Sequence, residues 1–187
     1  MSESLSMIAG LRAYSRYANR LLNGNPEYES KLLAEFHKQF SRAEMEDFLR
    51  AALTQSPGEL KSCLRRLRQM VWLRSTARDL AGIADLSEVM SAMTALAEVS
   101  NVAAHAEAEK ELSERYGLPI GSETGTPQQL IVVAMGKLGG RELNVSSDVD
   151  LIFVYPEEGD TDGPRSISNH EFFTLVGKRV IAALSEI

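Results

Sequence analysis

Residues 130–155 read LIVVAMGKLGGRELNVSSDVDLIFVY. Leu130 to Met135 is an apolar run rich in β-branched residues, and Gly136, Gly139 and Gly140 follow at once. That order predicts a buried strand ending in a tight, exposed loop. A second apolar run returns from Asp148, with only Val149 between Asp148 and Asp150. A strand's period of two would send both carboxylates to one face and Val149 to the other. Leu151, Ile152, Phe153 and Val154 are apolar on both faces, so the expected strand is central and its acids mark where it emerges at a cleft.

Like charges held close repel unless a cation lies between them. Paired acids on a strand rim therefore suggest a hard divalent metal such as Mg²⁺, shared with substrate phosphates. The glycines support this, because residues without a Cβ let backbone N–H groups approach an anion. Metal-dependent phosphoryl or nucleotidyl transfer is the chemistry these features suggest. Two rival phosphate motifs fail on spacing. Gly136-Lys137-Leu138-Gly139-Gly140 is not G-x-G-x-x-G, and no G-x-x-x-x-G-K-[ST] occurs in the chain.

Working outward, the flanking composition divides the chain. Only four of its 13 glycines precede residue 117, and GLPIGSETGTPQQ reads as a linker of turn formers. The expected organisation is a helical domain over 1–118 and an α/β portion over 119–187. In the first part, YSRYANRLL suggests a short helix broken at Asn23-Gly24-Asn25-Pro26. Leu32, Leu33, Phe36 and Phe40 predict a helix from Glu27 to about Phe40, and Ser41-Arg-Ala-Glu is a capping box opening another through about Leu53. Further helices are expected over 59–80 and 86–116.

The helix over 59–80 carries six basic residues between 61 and 79 against Asp79 alone. Lys61, Arg65 and Arg68 share one face, Leu60, Leu64, Leu67 and Val71 another, and Arg66, Arg74 and Arg78 add charge. A solvated face paired with neighbouring acids is favoured over a phosphate surface. Trp72 suits a core or interdomain contact. Cys63, the single cysteine, lies in an apolar helical pattern and is expected to be a buried thiol. His105 has no metal-ligand spacing around it. After the central stretch, PEEGDTDGPRS reads as an exposed loop whose acids Glu157, Glu158 and Asp160 are solvated, and Ser168 starts a final helix.

A net charge of −6 argues against general nucleic-acid binding, and no apolar run approaches the roughly 20 residues of a membrane span. The N-terminus lacks a secretory signal pattern, so a cytoplasmic location is expected.

Gly139-Gly140, seven residues, then Asp148-Val149-Asp150 before an apolar strand resembles the signature of the nucleotidyltransferase superfamily that includes DNA polymerase β. The longer string GKLGGRELNVSSDVDLIF closely resembles the bacterial glutamine synthetase adenylyltransferase/adenylyl-removing family, and LRRLRQMVWLRSTARDLAG resembles its helical lead. The fold this implies is α+β, a helical domain followed by the first part of a polymerase β-like sheet. The resemblance implies that Asp148 and Asp150 hold Mg²⁺ or Mn²⁺ and carry the catalysis. It also implies that Gly139 and Gly140 cradle the phosphates of ADP or ATP, with Ser147 as a hydroxyl donor, Ser146 as a weaker candidate, and Lys137 and Arg141 beside the phosphate charge. The position of the motif resembles the first half of the longer family enzymes, the half associated with phosphorolysing AMP from a tyrosine of glutamine synthetase to give ADP. Glutamine synthetase and the PII signalling protein are the implied partners. The third carboxylate usual in the superfamily comes from a later strand and is not expected within 1–187, so the chain reads as an N-terminal fragment, inactive alone. Two other readings stand beside this one. One is a nucleotidyltransferase with a different acceptor, and the other is a helical protein-binding module whose α/β portion is structural.

Overall fold

The structure, a computed structural model, describes residues 3–185. It is α+β and mostly helical. Among the described residues eight helices and four short strands follow in the order α1 Glu3–Tyr14, α2 Arg16–Gly24, α3 Pro26–Glu35, α4 Arg42–Gln55, α5 Leu60–Leu80, α6 Leu86–Tyr116, β1 Pro119–Gly121, β2 Ile131–Met135, α7 Gly136–Gly139, β3 Asp150–Val154, β4 Gly159–Thr161 and α8 Asn169–Leu184. Two compact units divide the chain. One comprises Met1–Val99 with Arg141–Asp148, and the other Ser100–Gly140 with Val149–Ile187.

The first unit is helical and its boundaries follow local chemistry. The Ser15 hydroxyl accepts from the Ala18 N–H at 3.1 Å and so starts α2, splitting the N-terminal segment into two helices where the sequence suggests one. The Ser41 hydroxyl accepts from the Glu44 N–H at 3.2 Å, as its capping-box pattern predicts. Helix α3 ends at Glu35, short of the expected Phe40, although Phe36 and Phe40 both remain buried. The cause lies on another helix, where Arg78 of α5 donates to the Phe36 carbonyl at 2.8 Å and satisfies a helix-end acceptor.

Helix α5 is the unit's axis. Leu60, Leu64, Leu67 and Val71 are buried at alternating spacings of four and three, and Arg74 and Arg78 continue the same stripe. Arg74 is only 2% exposed. Its guanidinium donates to Glu44 at 2.7 Å and to Glu35, and lies 4.1 Å from the Phe40 ring centroid. Arg78 binds Glu88 through Nε and Nη2. These two arginines therefore depart from the expected solvated face. They occupy core positions made tolerable by acids brought from α3, α4 and α6. Cys63 is buried as expected, and Trp72 packs edge-on against Tyr17 with ring centroids 4.8 Å apart.

In the second unit β2 and β3 form an antiparallel pair with Ile131 opposite Val154, Val133 opposite Ile152 and Met135 opposite Asp150. Phe153 points towards α8, where a Cβ on Gly177 would meet its ring at 3.7 Å. The other face carries Ile131, Val133, Met135, Ile152 and Val154, between 40% and 50% exposed. The strand is thus covered on one side, not on both as its apolar run leads one to expect, because the sheet has two strands and one covering layer here.

A second antiparallel pair, β1 with β4, lies in segments whose composition reads as linker and loop. Its bonds explain why. Asn169 donates to the carbonyls of Ile120 and Glu157, and the Asp162 carboxylate accepts from the Leu118 N–H at 2.7 Å. The Glu157 carboxylate accepts from the N–H groups of Glu123 and Thr124. Of the loop acids expected to be solvated, Glu157 instead ties one segment to another, and the neighbouring Asp162 does the same. Among the described residues no helix is long and apolar enough to cross a membrane.

Candidate functional site

The apolar strand β2 runs into Gly136, whose φ of 53° lies in the left-handed region, and the chain then makes the single helical turn α7. Leu138 is buried beneath this turn, and the Gly140 N–H closes it on the Gly136 carbonyl at 3.0 Å. Gly139 is required by space and Gly136 by its positive φ. A Cβ on Gly139 would stand 2.6 Å from the Ala134 carbonyl oxygen, and one on Gly136 would stand 3.2 Å from Oδ2 of Asp150. The pairing of Met135 with Asp150 brings that carboxylate back beside the start of the glycine turn. The second unit therefore contributes a glycine turn with an exposed acid against it.

The segment Arg141–Asp148 belongs to the first unit. Leu143 anchors it as a buried side chain. The Asn144 side-chain oxygen accepts from the Ser146 N–H and from both serine hydroxyls, at 3.0 to 3.1 Å, while Ser147 Oγ accepts from the Asn144 N–H at 3.2 Å. This closed turn postpones the strand. β3 begins at Asp150, and Asp148 lies in the loop before it instead of sharing a strand face with Asp150. Both acids are exposed. With one residue between them their Cα atoms are no more than about 7 Å apart on covalent grounds alone.

Lys137, in α7, is exposed. Arg141 is exposed too, but its backbone stands at φ 60° and its Nη1 donates to Glu98 Oε1 at 2.8 Å. The Ser147 hydroxyl is engaged with Asn144, as is that of Ser146, so neither is an idle donor. Sequence reasoning missed Asn144 and Glu98. The Asn-x-Ser-Ser order of a side-chain-closed turn was a usable signal for Asn144, whereas nothing local points from Glu98 to Arg141, 43 residues on.

Among the described residues no three or more His, Cys, Asp or Glu side chains gather as a metal cluster. The exposed Asp150 carboxylate beside the glycine turn is nonetheless an oxygen donor of the kind Mg²⁺ takes, an ion that commonly uses one or two protein carboxylates and completes its shell with water and substrate phosphate.

The hairpin thus sets its glycine turn beside the acid that begins the returning strand, and comparison with known proteins gives the chain a family. The family model described as glutamate-ammonia ligase adenylyltransferase matches residues 5–187, and the chain belongs to that family. The chain is 48% identical over 189 residues, 99% of its length, to a bifunctional glutamine synthetase adenylyltransferase/adenylyl-removing enzyme of Nitrosomonas eutropha. Relatives of the same description from Chromobacterium violaceum and Ralstonia nicotianae are 51% and 46% identical over 92% and 93% of the chain. These matches cover 20%, 19% and 19% of the relatives, so the chain spans about a fifth of their length.

Proposed function

We propose that this chain is the N-terminal, adenylyl-removing part of a bifunctional glutamine synthetase adenylyltransferase, and that its site serves phosphorolysis of AMP from a tyrosine of glutamine synthetase, giving ADP. The observation that carries the reading is the glycine turn packed so closely against the Asp150 carboxylate that a Cβ at Gly136 would touch it. On this reading the backbone assigned to the phosphate and the acid assigned to the metal lie at one strand end. The names of the relatives support the substrate.

Asp148 and Asp150 are assigned to hold Mg²⁺ or Mn²⁺. Such an ion, when bound, neutralises charge on phosphoryl oxygens and aligns attacking and leaving oxygens for in-line displacement. Gly139 and Gly140 shape the phosphate cradle, with Gly140 closing the turn through its N–H. Lys137 and Arg141 bring positive charge to the phosphates. Ser147 shapes the loop that delivers Asp148, through its bonds to Asn144. Cytoplasmic regulation of nitrogen assimilation is the corresponding setting.

The assignment is tested by Mn²⁺-dependent binding of ADP to the wild-type chain, Asp148→Asn and Asp150→Asn. Each substitution is expected to weaken metal-dependent binding at least about tenfold, the scale of losing one of two charged ligands. ADP binding that ignores both metal and substitutions would remove the acids from the site.

A further inference from the structure

Helix α6 carries metal-type donors on residues that the glycine turn does not involve. The sequence sets no Cys, His or Asp at a ligand spacing from His105, but Glu109 stands one helical turn on. In the structure Glu109 Oε1 lies 3.4 Å from His105 Nε2. Nε2 is buried, yet it makes no hydrogen bond to Glu109 or to any other of the described residues. The two atoms are therefore close without being aligned. For a bare pair this is costly, because a buried ring nitrogen loses its hydration and gains no partner. For two ligands of one cation it is the expected geometry. Ligands bonded to a tetrahedral Zn²⁺ at about 2.0–2.1 Å lie about 3.3 Å apart, and each aims at the metal instead of at the other. Asn101 stands one turn earlier on the same stripe, and its Nδ2 is also buried without a partner. Turning that amide over exchanges an orphaned donor for an oxygen, which is a ligand. All three residues belong to one compact unit and one helix, so the helix alone sets their spacing.

We propose that Asn101, His105 and Glu109 form a binding site for a divalent transition-metal ion of the Zn²⁺ type. His105 binds through Nε2, as the neutral imidazole that keeps its proton on Nδ1, and Glu109 binds through Oε1. Asn101 adds its side-chain oxygen, and water completes a four-coordinate shell. The imidazole selects the ion, because nitrogen suits Zn²⁺ and Co²⁺ whereas Mg²⁺ takes oxygen ligands. With side chains 20% and 28% exposed, His105 and Glu109 leave the ion a path from solvent while shielding it on most sides. A bound ion would clip two successive turns of α6 together and so stabilise the helix. The site does not rest on the nucleotide-binding reading given above.

The test is calorimetric titration with Zn²⁺, in a large excess of Mg²⁺, of the wild-type chain and of His105→Ala, Glu109→Gln, Asn101→Ala and a His37→Ala/His170→Ala double variant. Each is checked for helix content, and the visible absorption of bound Co²⁺ reports the coordination directly. The chain has three histidines, so the double variant leaves His105 as the sole imidazole. The wild-type chain is expected to bind one Zn²⁺ that Mg²⁺ does not displace, and to melt at a higher temperature with it. His105→Ala should weaken binding at least about a hundredfold, since even the loss of an outer-shell partner costs 10–100-fold. Glu109→Gln, which keeps the shape and removes the charge, should weaken it at least about tenfold, and Asn101→Ala roughly tenfold. The double variant should bind as wild type does. Absence of Zn²⁺ uptake by the wild-type chain, or uptake undiminished in both His105→Ala and Glu109→Gln, overturns the site and leaves an ordinary ion pair. Undiminished affinity in Asn101→Ala removes the amide from the ligand set. Where His105→Ala loses helix content, Glu109→Gln decides.

Discussion

At the scale of single residues, the glycine turn is where side-chain absence matters most. Gly139→Ala would drive a Cβ to 2.6 Å from a backbone oxygen that has no flexible end to yield. We expect a loss of about 2 kcal/mol, the usual cost of overpacking, or a fall of roughly 4–8 °C in melting temperature for a chain of this length. A melting curve matching wild type would mean that the turn relaxes freely. Glu157 gives a pH prediction. Burial raises its pKa, but the N–H groups of Thr124 and Glu123 and the Thr124 hydroxyl outweigh this and hold it below the ordinary 4.5. Because the folded form holds the proton less tightly than the unfolded form, its contribution is complete above the ordinary carboxylate range and is lost as pH falls through the lower folded value. Glu157→Gln should therefore have a shallower acid limb in a plot of stability against pH, and an unchanged slope would contradict the assignment. The residue scale is also where the sequence was most legible in chemistry and least in partners. The acids, glycines and Arg141 stand out by type, but Glu98 and Asn144 become visible only once the chain has turned.

At the scale of elements, periodicity located the helices well because each buries a stripe. Helix α6 runs from Leu86 to Tyr116 as the pattern predicts, with Asp85 accepting from the Glu88 N–H at its start. The strands β1 and β4 escaped the same reading. Three residues each of Pro-Ile-Gly and Gly-Asp-Thr have no strand pattern of their own, and only pairing with a segment 40 residues away makes them strands. The start of β3 was misplaced by two residues because alternation cannot register a turn closed by Asn144. Helix α5 is the sharpest case. The stripe 60-64-67-71 extends arithmetically to 74 and 78, but charge outvotes periodicity when a sequence is read without knowing that α3, α4 and α6 will supply Glu35, Glu44 and Glu88. That origin also sets a test. Removing Glu35 and Glu44 together strands the buried Arg74 charge and should cost about 3 kcal/mol, whereas Arg74→Met, which removes the charge and keeps the bulk, should cost far less or stabilise. Denaturant midpoints for both variants decide it, and equal losses would show that packing alone, not charge, holds Arg74.

At the scale of the whole molecule, the α+β class, the helical lead and the family follow from the sequence, and the matches along nearly the whole chain agree. The apolar face of Ile131, Val133, Met135, Ile152 and Val154 was not legible, because an apolar run states that burial suits a strand without saying which layers are present to provide it. The central claim is the adenylyl-removing activity proposed for this site. Its most direct measurement is phosphate-dependent ADP release from adenylylated glutamine synthetase, with Mg²⁺, by this chain, by a C-terminally extended chain of the length of its relatives, and by that longer chain carrying Asp148→Asn. The account predicts release by the extended chain, little or none by residues 1–187, and a loss of at least about a hundredfold with Asp148→Asn, as expected for a metal ligand at a charge-stabilising site. A well-folded extended chain that releases no ADP, or releases it undiminished without Asp148, would contradict it.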